Sequence, residues 1–127
     1  MHRNDPDPAY DVLVDLLSTW QQAFDDNRSE DIAALFTEDA LFQGYSPKLR
    51  IGPAEITDYY NDVAAGAKAE VRVLQGNQVG ANAVAGFADV TFTSPTGITT
   101  AARLSVTAQF ITGAWRIRQY HAAPAPS

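Results

Sequence analysis

Two side chains in the second half of the sequence could move a proton, and both lie in segments with the alternation of a β-strand. Asp89 is the only acidic residue after Val71, and it follows Phe87 and Ala88. A carboxyl group that faces an apolar cavity has a raised pKa and can act as a general acid or base. His121 ends the last strand-like run, and an imidazole titrates near neutral pH. These two residues are the candidate catalytic groups.

The phase of each strand offers a second interpretation of both residues. Asp89 alternates out of phase with Val84 and Val90, which favours an ion pair with Arg103 on the outer face of a sheet. His121 is in phase with Ile117 and is expected to point toward the helices or the mouth of a cavity. It could equally be a strand-end histidine bonded to backbone. Gln119 shares the phase of His121, so we expect it at the same ligand-binding end.

The first half of the chain has helical spacing. Asp7-Pro8 predicts a helix start, and a second helix is expected from Ser29. A brief strand over 40–42 and a loop over 44–50 follow. Gly52-Pro53 predicts a third helix that stops at Gly66. The apolar stripe of the first helix consists of Val12, Leu13, Leu16, Leu17, Trp20 and Phe24.

After Gly66 the apolar period changes from about four to two, which indicates strands. We expect strands near 69–73 and 83–93, then a hairpin of 99–111 and 114–121. Gly76-Asn77 suggests a bulge or turn. The proline-containing tail after His121 is expected to leave the ladder. Helices followed by a meander predict an α+β domain, with a curved antiparallel sheet wrapped around three N-terminal helices.

Length and composition narrow the class of protein. The chain has 127 residues, 46% apolar and 19% charged, with no cysteine. We expect one domain over 1–127 with an ordered core of about 8–122, no disulfide, and a cytoplasmic location, since no signal peptide or spanning run is apparent. Residues 1–66 carry 13 acids and 4 bases, and residues 67–127 carry 2 acids and 5 bases. This distribution argues against nucleic-acid and membrane partners.

Other residues could bind a ligand or a second subunit. Trp20, Tyr45 and Tyr60 are candidates for an aromatic pocket, and Arg103 for an anionic group. Adjacent Tyr59 and Tyr60 cannot share one helix face, so one of them should reach the cavity or a subunit contact. His2 lies in a polar tail, and no spacing indicates a metal or a cofactor. The outer sheet face, where we expect a homodimer contact, comprises Thr107, Gln109, Arg116, Arg118 and Tyr120.

Three motifs in order resemble the NTF2-like superfamily and, within it, the SnoaL-like proteins. They are Leu35-Phe36-Thr37-Glu38-Asp39-Ala40 before a strand, Gly52-Pro53-Ala54-Glu55-Ile56 at the third helix, and Gly113-Ala114-Trp115-Arg116-Ile117 in the closing hairpin. The resemblance spans Val12 to His121. It implies a cone-shaped fold with a cavity between helices and sheet. Several enzymes of that superfamily, isomerases and cyclases, use a strand aspartate as acid or base.

A closer resemblance is to the association domain of calcium/calmodulin-dependent protein kinase II and its bacterial relatives. Tyr45-Ser46-Pro47 and the final Gln119-Tyr120-His121 are similar to that group, in which the last strand reads His-aromatic-His. The group holds a carboxylate with pocket arginines. By this resemblance, two of those arginine positions are occupied by Asp89 and Ala122 in this sequence. Arg103 resembles the arginine at a third position.

Three hypotheses follow. The protein is a small-molecule binder, an isomerase or cyclase that uses Asp89 or His121, or a homo-oligomerisation module.

Overall fold

The helices and strands of a computed structural model, which describes residues 8–125, follow the predicted order, with one additional two-residue strand directly before the third helix. Asp7, His2 and the end of the tail lie outside the described residues. The elements are α1 Pro8–Asp25, α2 Ser29–Ala33, β1 Phe36–Gln43, β2 Arg50–Ile51, α3 Gly52–Asn61, β3 Lys68–Gly80, β4 Ala83–Thr93, β5 Thr99–Ile111 and β6 Ala114–Pro124.

Helix α1 is held by an apolar face and ends at a defined signal. Its buried residues recur at three-to-four spacing and pack against β3 and β4. Asn27 then adopts a positive φ of 59°. The amide of Asn27 donates to the carbonyl of Phe24, and the amide of Arg28 donates to the carbonyl of Ala23, both at 3.0 Å. This pair of bonds satisfies the last helical carbonyls and turns the chain toward α2.

The six strands form one open sheet in the order β2-β1-β6-β5-β4-β3. Strands β3 to β6 are antiparallel neighbours, as predicted. The predicted antiparallel sheet has one parallel pair, because β1 runs parallel to β6. This parallel pairing is possible because α3 and three long strands separate β1 from β6 along the chain.

Side chains of α1 close the free edge of β3. The Gln21 side-chain oxygen accepts the amide of Val71 at 2.8 Å, and a carboxylate oxygen of Asp25 accepts the amide of Ala69 at 2.8 Å. Without these acceptors the two amides would face outward at a sheet edge, where another strand could pair with them. The helix therefore covers both the inner face and the edge of the sheet.

A β-bulge in β6 changes which residues face the helices. Thr107 pairs with Gln119 and Ala108 pairs with Ile117, so Arg118 is an extra residue in β6. Ile117 is buried before the bulge, and Tyr120 is buried after it. The prediction that Gln119 and His121 face inward is therefore wrong, and so is the prediction that Tyr120 faces outward.

The start of the tail stays in the sheet, contrary to expectation. Ala102 pairs with Pro124, and the amide of Ala125 donates to the carbonyl of Ala101 at 3.1 Å. Pairing of β1 with β6 ends at His121. Beyond that point one side of β6 is a sheet edge. Pro124 has no N–H to donate, but no strand in the described part of the chain pairs with that side and needs one. Among residues 8–125, no helix is long and apolar enough to span a bilayer.

Candidate functional site

A cavity of about 340 Å³ lies between α3, the segment that follows it, and the inner face of the sheet. Its size suits a small organic ligand. Six aromatic side chains line it: Phe24, Tyr45, Tyr59, Tyr60, Phe92 and Tyr120. Their rings pack edge to face or tilted against one another, as between Phe24 and Tyr60 with centroids 6.2 Å apart.

The rest of the lining is small, aliphatic or hydroxylic. It consists of Val63, Ala64, Ala67, Thr93, Ser94, Pro95, Ile98, Thr100 and Ala122. Within the described part of the chain, no acidic, basic, amide or imidazole side chain lines this cavity. A charged ligand would therefore lose its hydration without meeting a counter-charge.

Buried hydroxyl groups form the inner end of the cavity. Trp20 is fully buried on α1, and its indole N–H donates to the Tyr60 hydroxyl oxygen at 3.1 Å. Tyr60 and Tyr120 are each only 3% exposed, and both line the cavity. Burial raises the pKa of both phenols, so both carry their protons at neutral pH.

The mouth is shaped by the loop between β1 and β2. The Tyr45 hydroxyl donates to the carbonyl of Ala101 at 2.9 Å, which ties the loop to β5. The Tyr45 amide donates to the Tyr59 hydroxyl oxygen at 3.2 Å. Gly44 packs against that hydroxyl so closely that a Cβ atom there would overlap it. The absence of a side chain at Gly44 therefore sets the position of the Tyr59 ring.

The structure places Asp89 on the outer face of the sheet, so the prediction of a cavity acid or base is wrong. The Nε atom of Arg103 lies 2.7 Å from one carboxylate oxygen, and Arg72 lies 3.6 Å from the other. The hydrogen bond from Arg103 lowers the pKa of Asp89, the opposite of what a cavity base requires. Strict alternation along β4 explains the placement, because Ala88 and Val90 take the two inward positions. Arg103 is likewise outside the cavity, and its expected role in binding an anion there is wrong.

His121 and Gln119 also lie on the outer face. Both are exposed beside Leu41 and Ile51, around a separate hollow at the β2 end of the sheet. The bulge at Arg118 is the physical reason. Of the other predicted ligand-binding residues, Tyr45 and Tyr60 line the cavity, whereas Trp20 lies behind Tyr60 and does not. Among the described residues, no cluster of three metal-ligating side chains occurs.

Several lining residues escaped sequence analysis. Tyr59 and Tyr60 both reach the cavity, with rings perpendicular at 5.1 Å, although only one was expected. The cavity lies beside the end of α3 rather than beneath one face of it, so adjacent residues both reach it. Tyr120 was assigned to the wrong face because no glycine or proline marks the bulge. Phe92 lies near the end of β4, beside the β4–β5 turn, and lines the cavity.

The architecture and the motifs that resemble SnoaL-like proteins agree with a direct comparison. A family model described as a SnoaL-like domain matches residues 13–126. The chain belongs to this SnoaL-like domain family. No curated protein matches the sequence.

Solved structures show the same fold as this SnoaL-like chain. A protein named as a calcium/calmodulin-dependent protein kinase II association domain, from Xanthomonas campestris, is 20% identical with a TM-score of 0.76, over 91% of this chain and 86% of that one. A protein named as a scytalone dehydratase, from Novosphingobium aromaticivorans, is 14% identical with a TM-score of 0.80, over 91% and 83%.

A third neighbour is a type-3 hexachlorocyclohexane dehydrochlorinase from Novosphingobium barchaimii. It is 19% identical with a TM-score of 0.79, over 94% of this chain and 88% of that one. At these identities the neighbours establish the fold of this SnoaL-like domain, and their different names show that the fold alone does not specify an activity.

Proposed function

We propose that this SnoaL-like domain binds a small, uncharged and largely apolar ligand in the aromatic cavity. The observation that carries the proposal is the composition of the lining, which joins six aromatic rings to a few hydroxyls and contains no charged side chain among the described residues. Such a surface favours a ring-shaped ligand through burial of apolar area and edge-to-face contacts.

An acid–base reaction through Asp89 or His121 does not fit this site. Both side chains are on the opposite face of the sheet, and Asp89 forms ion pairs with Arg72 and Arg103. The lining offers phenols with raised pKa values in their place, and these donate hydrogen bonds but do not accept a proton near neutral pH.

Titration with naphthalene, an uncharged two-ring aromatic, tests the proposal. We expect saturable binding, followed by the fluorescence of Trp20, whose indole contacts the hydroxyl of the cavity residue Tyr60. Ala64 is exposed at the mouth, so Ala64→Phe should obstruct entry and weaken binding by about tenfold or more. Ala54→Phe is the matched control, because Ala54 is exposed on α3 and does not line the cavity.

Two results would overturn the proposal. One is the absence of saturable binding by the unmodified protein. The other is equal binding by the two alanine variants, which would place the ligand elsewhere.

We also propose that the outer sheet face pairs with a second copy of this chain. Phe87 is 51% exposed on β4, well within the sheet. Ser105 lies directly opposite on β5, Gln75 lies opposite on β3, and Ala85 is two residues away. In a two-fold dimer each copy presents the same patch, so the ring of one Phe87 can lie over the small residues of the other.

The dimer proposal is tested by light scattering on Phe87→Glu, which should convert a dimer to a monomer by placing two like charges at the contact. Phe110→Glu is the control, because Phe110 is also exposed but lies at the end of the hairpin. A monomeric unmodified protein, or a dimer that survives Phe87→Glu, would contradict the proposal.

A further inference from the structure

The direction of the hydrogen bonds at the inner end of the cavity limits what a ligand must offer. The indole N–H of Trp20 can only donate, so in its bond with Tyr60 the phenol oxygen is the acceptor. The proton of the Tyr60 hydroxyl therefore points away from Trp20. Tyr60 lines the cavity together with Tyr120, so this proton can be directed toward the cavity.

The Tyr60 and Tyr120 hydroxyls, both buried at the cavity, carry one proton each. A bond between the two phenols could use at most one of these protons. Within residues 8–125, no carbonyl, carboxylate or amide oxygen accepts a hydrogen bond from either hydroxyl. At least one phenolic proton is therefore left to face the cavity. In the empty protein, water can accept it.

The remaining lining determines the charge of the acceptor that replaces this water. No cation lines the cavity among the described residues, so a carboxylate or phosphate would be desolvated without compensation. The Tyr45 hydroxyl is already bonded to the carbonyl of Ala101 and is not available as a second donor. The surrounding surface is aromatic, which matches a ring skeleton.

We propose that the cavity selects a neutral carbonyl compound with an aromatic skeleton, whose oxygen accepts the free proton of the Tyr60–Tyr120 pair. This inference rests on the proposed function and specifies the ligand class of the same site. A ligand that lacks the oxygen displaces the water and leaves a buried donor without a partner. Sites built around such a donor reject analogues that cannot accept from it more strongly than apolar pockets reject a missing methylene.

The experiment compares two probes that differ at one atom. Acetophenone has a carbonyl group where α-methylstyrene has a C=CH₂ group, and the two molecules otherwise share one skeleton. We expect the ketone to bind the unmodified protein at least about tenfold more tightly, measured by calorimetry. We also expect the carbonyl stretching frequency of the bound ketone to fall below its value in an aprotic solvent, because the carbonyl then accepts a hydrogen bond.

Variants assign the donor to the tyrosine pair. Tyr60→Phe combined with Tyr120→Phe removes both protons and should abolish the preference for the ketone. Tyr10→Phe, which removes a phenol hydroxyl outside this cavity, should retain it. The infrared measurement needs no variant, so the inference can be refuted even if the double variant fails to fold.

The outcomes separate this inference from the proposed function. Equal affinity for the two probes, or a ketone with an unshifted carbonyl frequency, refutes the carbonyl inference while leaving a binding cavity. A ketone preference that persists in the double variant also refutes it, because the donor then lies elsewhere. If neither probe nor naphthalene binds, the proposed function itself is wrong.

Discussion

Replacing Gln21 by methionine is expected to destabilise the protein, because it removes the acceptor of a strand-edge amide. The Gln21 oxygen lies 2.8 Å from the amide nitrogen of Val71, and the bond is partly buried between α1 and β3. Methionine keeps the length and helix propensity of glutamine but cannot replace the bond. The Val71 amide would then be covered by an apolar side chain.

The size of the effect follows from this burial. An unsatisfied buried amide costs about 1–3 kcal/mol, and partial access to water places Gln21→Met near the lower end, at about 1–2 kcal/mol. For a domain of this length, 1 kcal/mol lowers the melting temperature by roughly 3–5 °C. Thermal unfolding should therefore show a decrease of roughly 3–10 °C.

Gln22→Met is the matched control. Gln22 is the next residue on α1 and bonds only to the exposed Asp26 side chain at 3.1 Å, an interaction worth roughly 0.2–0.5 kcal/mol. Hydrogen exchange provides a local measure, since the amide of Val71 should lose protection in Gln21→Met more than that of Arg72, whose side of β3 pairs with β4. Equal melting temperatures for the two variants, with unchanged exchange at Val71, would refute the capping role of α1.

Three further predictions concern titration and the outer face. The hydrogen bond from Arg103 lowers the pKa of Asp89 in the folded protein, so this carboxylate adds stability above its unfolded pKa. That stability is lost as the pH falls through the folded pKa. Asp89→Asn should therefore flatten the acid limb of a curve of stability against pH. Burial raises the pKa of Tyr60 and Tyr120, so their contribution to stability is complete below the unfolded pKa and is lost as the pH rises through the folded pKa. In an alkaline absorbance titration, both tyrosines should therefore ionise only when the protein unfolds. His121→Ala should leave naphthalene affinity unchanged, and a loss of tenfold or more would contradict the outward placement of the imidazole.

Much of the fold could be predicted because apolar periodicity and breaker residues report local structure. The strand expected near 83–93 is found at Ala83–Thr93, and the closing hairpin turns at Thr112 and Gly113, both with positive φ. The outward position of Asp89 opposite Arg103 follows from the same alternation and was one of the two interpretations considered. These features depend on neighbouring residues along one or two strands.

The site was less predictable because it depends on register across strands. Extrapolating the phase of Trp115 and Ile117 through β6 assigns His121 to the cavity, and one extra residue reverses that assignment. The parallel pairing of β1 with β6 likewise joins segments far apart in sequence. Nothing in the local composition around Arg118 distinguishes a bulge from continued alternation.

The bulge at Arg118 decides what chemistry the cavity contains. Its side chain faces outward, where it bonds to Gln109 at 3.0 Å and lies 3.2 Å from Asp39 on β1, so the extra residue contacts strands on both sides. A strand of unbroken alternation would present an imidazole to the cavity and place the phenol of Tyr120 outside. The extra residue instead turns Tyr120 inward, so that its phenol lines the cavity together with Tyr60. A single register shift in β6 thus places a phenol rather than an imidazole at the cavity.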